Sequence, residues 1–359
     1  MKRIKYLIFT LLLGFCLQLS GYIKALWIPA WELTTPENID QLVADARDNH
    51  IDRLLVEIRY RGDALYIPNR IDSTFYNPEK RCYLLNNQPQ DFDPLAYLLK
   101  KVEKEKIEVH AWITVFVVTV HDTTKMTPDH LYYTHPEWIT SDFMRNPMQH
   151  NDYEGAYLDP GIPQVHLYLL NVIMDIVKNY PVAGIHLDYI RYPDSQYGYN
   201  DIARQFYSYD VTYQDSENWL NWKEEQVSSF VRKVRISLNN AAPGVELSAA
   251  VFPSLREART KYSQNWLMWL ENDLLDHVFI MAYTIHNGDF EILMQQVAGL
   301  GHKSRVIAGL RAWHYGAGYP AEKINDKIQI ARKLGFAGIS LFSYTGIKEN
   351  NYFKYLKMK

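Results

Sequence analysis

Ile107-Glu108-Val109-His110-Ala111-Trp112-Ile113-Thr114 changes character at every residue. Side chains of a strand alternate faces, so Ile107, Val109, Ala111 and Ile113 form one apolar face, and Glu108, His110, Trp112 and Thr114 form the other. Residues 53–60 repeat the pattern: Leu54, Val56 and Ile58 share one face, while Glu57 and Arg59, followed by Arg61, fall on the opposite one. In residues 183–188, Ile185 and Leu187 oppose His186 and Asp188. Such strands have one face suited to burial under helices and another bearing polar groups. A sheet curled into a barrel encloses that second face.

Further runs of this kind bring the strand candidates to eight, at residues 26–31, 53–60, 107–114, 183–188, 245–251, 277–283, 305–310 and 337–342. Amphipathic helical runs separate them. Ile39, Leu42, Val43 and Ala46 make one apolar stripe, and Leu169, Val172, Ile173, Ile176 and Val177 make another. Thr35-Pro36-Glu37 and Asp93-Pro94 each place a capping side chain before a proline at the first helical position. The alternation predicts an α/β fold, a (β/α)8 barrel of the TIM type. The rival is an open doubly wound sheet, which would carry a Gly-rich phosphate turn after an early strand; none is present.

The segments after strands two, three and four (residues 61–90, 115–162 and 189–216) far exceed the usual connection of ~2–6 residues. They are rich in Tyr, Asn, Asp and Pro and are expected to wall a groove at the C-terminal rim, where barrels of this type build their sites. With no linker and no repeat beyond the βα alternation, residues 26–359 read as a single domain.

The 38 basic and 41 acidic residues are interspersed, with a net charge of -3, which argues against a nucleic acid or an anionic surface as partner. Residues 1–25 read as a signal peptide: Lys2, Arg3 and Lys5 precede an apolar run from Tyr6 to Leu19, and Ala25 offers a cleavage point. The run falls short of the about 20 residues that span a bilayer, and no later segment is long and apolar enough. The expectation is an exported protein, periplasmic or extracellular, with no integral span. Cys16 lies in the leader behind Phe15, where a lipid-attachment signal requires a small residue, so a lipid anchor is not expected. Cys82 is then the one remaining cysteine, which precludes an intrachain disulfide. His121, Asp122, His286 and His314 lack the spacing of metal ligands, so neither a metal nor a cofactor is expected.

Barrel interiors are ordinarily packed with branched apolar residues, so Glu57, Arg59, His110, His186 and Asp188 together indicate a polar centre. Two readings stay open for the deeper residues. Glu57 and Arg59 can pair with each other, and each histidine can be a hydrogen-bonded core residue. Asp188 stands apart because it closes a strand at the rim, and it is the leading catalytic candidate.

Two motifs then join these positions. The first is Tyr157-Leu158-Asp159-Pro160-Gly161-Ile162-Pro163; after a helix comes Tyr180-Pro181-Val182-Ala183-Gly184-Ile185-His186-Leu187-Asp188-Tyr189-Ile190-Arg191-Tyr192-Pro193. With Arg59-Tyr60-Arg61-Gly62-Asp63-Ala64-Leu65-Tyr66 and Val109-His110-Ala111-Trp112, the chain resembles the glycosyl-hydrolase-like family 10 barrels along essentially its whole length after the leader. The resemblance implies a bacterial envelope glycoside hydrolase, with relatives that cleave peptidoglycan glycan strands stripped of their stem peptides. One departure matters. Some members carry two consecutive acidic residues at the end of strand four, whereas here Tyr189 follows Asp188.

Glycosidases commonly use two carboxyl groups about 5–9.5 Å apart. Candidates for the partner of Asp188 are Glu57 on the inner face, Asp63 and Asp159 on rim loops, and Glu32 after strand one. Asp159 has an equal claim as a turn residue ahead of Pro160. A substrate-assisted route, in which an N-acetyl group supplies the nucleophile, needs one acid only. Arg59, Arg191, His110 and His186 are candidate substrate-binding groups. Trp31, Trp112, Tyr189, Tyr192, Tyr283, Trp313 and Tyr344 lie at or past strand ends as candidate stacking surfaces for sugars. The second class of function is a glycan-binding barrel without catalysis, its second carboxylate replaced by Tyr189.

Overall fold

The computed structural model of the chain describes residues 21–207, 216–313 and 320–358; His314, Cys16 and the rest of residues 1–20 lie outside them. Eight parallel strands close on themselves: β1 (Ile23–Ile28), β2 (Arg53–Tyr60), β3 (Glu108–Thr114), β4 (Gly184–Asp188), β5 (Glu246–Val251), β6 (His277–Met281), β7 (Val306–Arg311) and β8 (Gly338–Phe342). Closure is made by β1, which pairs with β2 on one side and with β8 on the other. The surrounding helices include α1 (Pro36–Asp48), α2 (Pro94–Val102), α3 (Pro163–Asn179), α4 (Ser216–Ala241), α5 (Leu255–Tyr262), α6 (Trp266–Glu271), α7 (Asn287–Gly299), α8 (Ala321–Leu334) and α9 (Tyr344–Glu349). The expected (β/α)8 architecture is present. Among the described residues no helix is long and apolar enough to cross a membrane.

Local chemistry starts the first two helices as the sequence implies. The Thr35 side chain accepts a hydrogen bond from the Asn38 N–H (3.2 Å) and Asp93 accepts one from the Ala96 N–H (3.0 Å), each ahead of a proline that needs no partner for a missing N–H. At β1 the expected limits shift. Pro29 has no N–H for a ladder, so the strand stops at Ile28 and residues Ala30–Leu33 turn as a 3-10 helix. The strand also begins earlier, at Ile23, with Ile23, Lys24 and Ala25 paired to Gly338, Ile339 and Ser340. A cut after Ala25 would therefore remove three of the 6 residues of β1.

Two apolar layers follow from strand parity. Leu54, Val56, Ile58, Ile113, Ile185 and Leu187 face the helices in the main core, while Ala25, Trp27, Leu55, Trp112, Ala250, Phe279 and Ile307 fill the barrel. The barrel floor is ionic: Arg53 pairs with Glu108 (2.7 Å) and Glu246 (2.9 Å), and His277 lies 3.4 Å from Glu246. Gly184 has no Cβ because the His110 ring occupies that space.

The parity breaks once, with consequences for the site. Glu57 is level with Trp112, but the next register pair is Arg59 with Ile113, so a β-bulge places Ile58 and Arg59 together opposite one residue. Arg59 thereby leaves the inner face on which a strict two-residue period had placed it.

Candidate active site

Asp188 ends β4 at the C-terminal rim, level with Thr114 on β3. It is 8% exposed. Trp112 Nε1 donates a hydrogen bond to its Oδ2 (3.1 Å), and the Tyr189 N–H donates one to its Oδ1 (2.7 Å). Burial pushes its pKa up to about 6, opposed by the Tyr189 N–H, the charge of Arg191, the Trp112 bond and the charge of Arg61.

Glu57 lies on the inner face of β2, level with Trp112, which is in turn level with His186. Its Oε2 accepts a hydrogen bond from the Ala30 N–H (3.1 Å), which ties it to the turn after β1. Burial pushes its pKa up to about 8; Arg61 and the Ala30 N–H pull it down, and the charge of Asp188 pushes it further up. Glu57 and Asp188 are thus electrostatically coupled, and Trp112, level with Glu57 in the sheet, holds Asp188 through its Nε1. At neutral pH Glu57 keeps its proton and Asp188 is mostly ionised.

Rings and guanidinium groups surround this pair. Tyr189, in the left-handed region at φ 51, has the Arg61 guanidinium 5.0 Å and the Arg191 guanidinium 5.2 Å from its ring centre. Arg191 is buried, donates to Glu154 (3.0 Å), and packs on the rings of Tyr157, Phe252 and Tyr262. Just past β6, Tyr283 leans on Phe342 (5.2 Å) and meets Trp313 edge-on (5.4 Å, 75°). Burial together with the charges of Asp188 and Tyr189 holds the Tyr283 hydroxyl well above its ordinary pKa, which keeps it a neutral donor at this rim. Trp313 carries the Arg311 guanidinium 4.6 Å from its ring centre.

Residues 22–333 match the glycosyl hydrolase-like 10 family. The chain belongs to that family. It is 26% identical over 226 residues to "Glycosyl hydrolase YngK" of Bacillus subtilis, which covers 61% of this chain and 40% of that protein. It is 24% identical over 219 residues to "Glycosyl hydrolase DigH" of Escherichia coli K12, covering 54% of this chain and 46% of that one. The chain thus spans less than half the length of these curated relatives. Among solved structures, the glycoside hydrolase domain of PgaB (BpsB) from Bordetella bronchiseptica superimposes with a TM-score of 0.69 at 16% identity, covering 93% of this chain and 97% of that one, which establishes a shared fold.

Within this glycosyl hydrolase-like 10 barrel, several residues expected at the site serve other ends. Arg59, carried outward by the bulge, is fully buried in an ion pair with Glu79 (2.6 Å) and donates to the carbonyls of Thr114 and Val115. Asp63 pairs antiparallel with Tyr60 and lies 3.9 Å from His130; with Glu79 it lines a separate cavity of about 70 Å³. Burial, with the charge of Glu79, pushes its pKa up to about 8. Asp159 is fully buried and accepts hydrogen bonds from Thr140 Oγ1 (2.8 Å), the Gly161 N–H (2.8 Å) and the Tyr192 hydroxyl (3.1 Å), so it knits three loop segments together. Glu32 is occupied by Thr345 Oγ1 (2.6 Å) and Lys348 (2.7 Å).

The two histidines are interior residues. His186 bonds Ser248 Oγ through Nδ1 (2.8 Å) and stands edge-on to Trp27 and Phe279; burial holds its pKa well below the usual range, so it is neutral. His110 lies toward the ionic floor, 3.5 Å from Glu108, and neither it nor His186 retains any exposed surface. Arg61, on the inner face by parity but without an assigned role, gains importance instead, and Trp31, 46% exposed with its Nε1 donating to Thr345 Oγ1, offers a flat face just past the end of β1 as its position implies.

Proposed function

We propose that the chain is a glycoside hydrolase acting on an amino-sugar-containing polysaccharide of the cell envelope, such as peptidoglycan glycan strands, and that it is exported. The observation that carries the reading is the Glu57–Asp188 pair: two coupled, buried carboxyl groups at the C-terminal end of a family barrel, with pKa values held apart at about 8 and about 6. Such a split assigns roles, since one group holds a proton at the pH where the other is a charge. Glu57 is the acid that protonates the departing glycosidic oxygen. Asp188 is the anionic partner, facing the positive charge that develops on the sugar ring. Trp112 fixes the carboxylate by its Nε1 bond, and Tyr283, Trp313 and Trp31 provide ring faces and polar edges for sugar units. The basic-then-apolar opening of the sequence supports export.

The test is release of new reducing ends from peptide-free peptidoglycan glycans by the purified protein, compared with Asp188→Asn and Glu57→Gln. Each variant should lose about 10²–10⁴ in turnover, the range for removing a positioned acid or base. Glycan binding by the unaltered protein with no turnover on any glycan tried would overturn the hydrolase reading in favour of a binding barrel. Full activity in Asp188→Asn would overturn the assignment of the site. Export is checked by fractionating cells that carry the full chain; retention in the cytoplasm would refute it.

A further inference from the structure

We infer that Arg61 is a specificity-determining residue that receives a carboxylate borne by the bound sugar; this rests on the glycan reading above. Arg61 and Gly62 form the two-residue turn between β2 and the short antiparallel strand Asp63–Ala64, with Tyr60 paired to Asp63. Both have positive φ, 57 and 87, as the twist of such a hairpin requires. Gly or Asn takes the first position at little cost, whereas arginine has no local reason to be there. The turn is nevertheless pinned: the Arg61 N–H donates to Thr114 Oγ1 (3.2 Å) and its carbonyl accepts from His130 Nε2 (2.9 Å). What the turn achieves is the placement of a guanidinium group.

That group lies against the rings of Tyr60 (5.8 Å) and Tyr189 (5.0 Å), and Tyr189 is the residue whose N–H holds Asp188. Its charge acts on both Glu57 and Asp188. Yet its Nη1 is buried with no hydrogen-bond partner among the described residues. The neighbouring arginines are neutralised, Arg59 by an ion pair with Glu79 and Arg191 by one with Glu154, whereas Arg61 forms no ion pair with the described residues. An arginine half-buried at this rim, with one donor unmet and no ion-pair partner among the described residues, is matched best by a planar anion arriving with the substrate. On a sugar that anion is a carboxylate, carried either as a lactyl ether on O3 or as the C6 acid of a uronate.

Binding to the full chain carrying Asp188→Asn, which suppresses turnover, tests the inference by isothermal titration. The probes are an oligosaccharide alternating N-acetylglucosamine with its 3-O-lactyl derivative, the same compound with its carboxylates converted to carboxamides, and a glucuronate oligosaccharide of equal length with its own carboxamide. At least one acid is expected to bind about 10- to 100-fold tighter than its amide, the range of a charge-assisted hydrogen bond, and the pair that shows the difference identifies the carboxylate. Adding Arg61→Gln should remove the preference, and Arg61→Lys should restore part of it. Equal binding of acid and amide in both pairs, with Arg61 intact, overturns the inference without relying on any Arg61 variant to fold. So does an undiminished preference in Arg61→Gln. If no oligosaccharide binds in either form, the glycan reading falls and the inference falls with it.

Discussion

Glu57→Gln should separate from the unaltered protein in stability as pH rises. Glu57 has a pKa of about 8 in the fold against an ordinary value of 4.5, so between those limits the folded chain holds a proton that the unfolded chain has released. Stability then falls with rising pH, by about 1.4 kcal/mol per pH unit, and the loss is complete above the folded pKa. From pH 4.5 to 7 the loss accumulates to about 3 kcal/mol. Glutamine does not titrate, and it keeps an oxygen to accept the Ala30 N–H, so the variant lacks this slope. Urea unfolding followed by tryptophan fluorescence at several pH values between 4 and 8 measures the difference directly. The variant should gain on the unaltered protein by about 3 kcal/mol between pH 4 and 7, while its glycan turnover collapses. Parallel stability curves across that window would refute both the raised pKa and the role as acid built on it.

The pH–rate profile should be bell-shaped, because turnover needs Asp188 ionised, above about 6, and Glu57 protonated, below about 8; a profile still rising at pH 9 would contradict the assignment. Trp112→Phe removes a hydrogen bond to the ionised form of Asp188 and should move the acidic limb upward by about half a pH unit to one unit. Arg59→Met strands Glu79 without its partner and should cost about 3–5 kcal/mol in chemical unfolding, a size that a surface-exposed ligand contact would not produce. Asp159→Ala leaves the donors of Thr140, Gly161 and Tyr192 unmet and should destabilise by about 2 kcal/mol or more, whereas an unchanged midpoint with weakened glycan binding would return Asp159 to the substrate site.

The barrel was legible because period-two alternation recurs at each strand and is readable residue by residue. Residues 53–60 coincide with β2, and elsewhere the limits differ by a few residues where strand ends are set by closure rather than by pattern. Asp188 was legible for the same reason, as an acidic residue closing a strand. The face of Arg59 was not, since a bulge leaves no mark in the alternation of Leu54, Val56 and Ile58. Its partner Glu79 sits 20 residues away in a long connection, a distance at which no local rule operates. The choice of Glu57 over Asp63, Asp159 and Glu32 likewise depends on strand register and on where the loops fold back, which composition and spacing do not encode. The bland reading of His186 as a hydrogen-bonded core residue was available from the sequence, and Ser248 supplies the partner.

The pairing of β1 with β8 also bears on how the chain reaches this state. Trp27 Nε1 donates to Ser340 Oγ across 313 residues of sequence, so the seam joins segments synthesised far apart in time. Contacts of such separation slow folding, since the entropy of bringing the ends together is lost before the ladder forms. Until β8 emerges, the nascent sheet has two open parallel edges, on β1 and on β7, either of which can recruit another strand. Truncation before Gly338 should therefore yield aggregates rather than a smaller barrel, and refolding from denaturant should depend steeply on protein concentration.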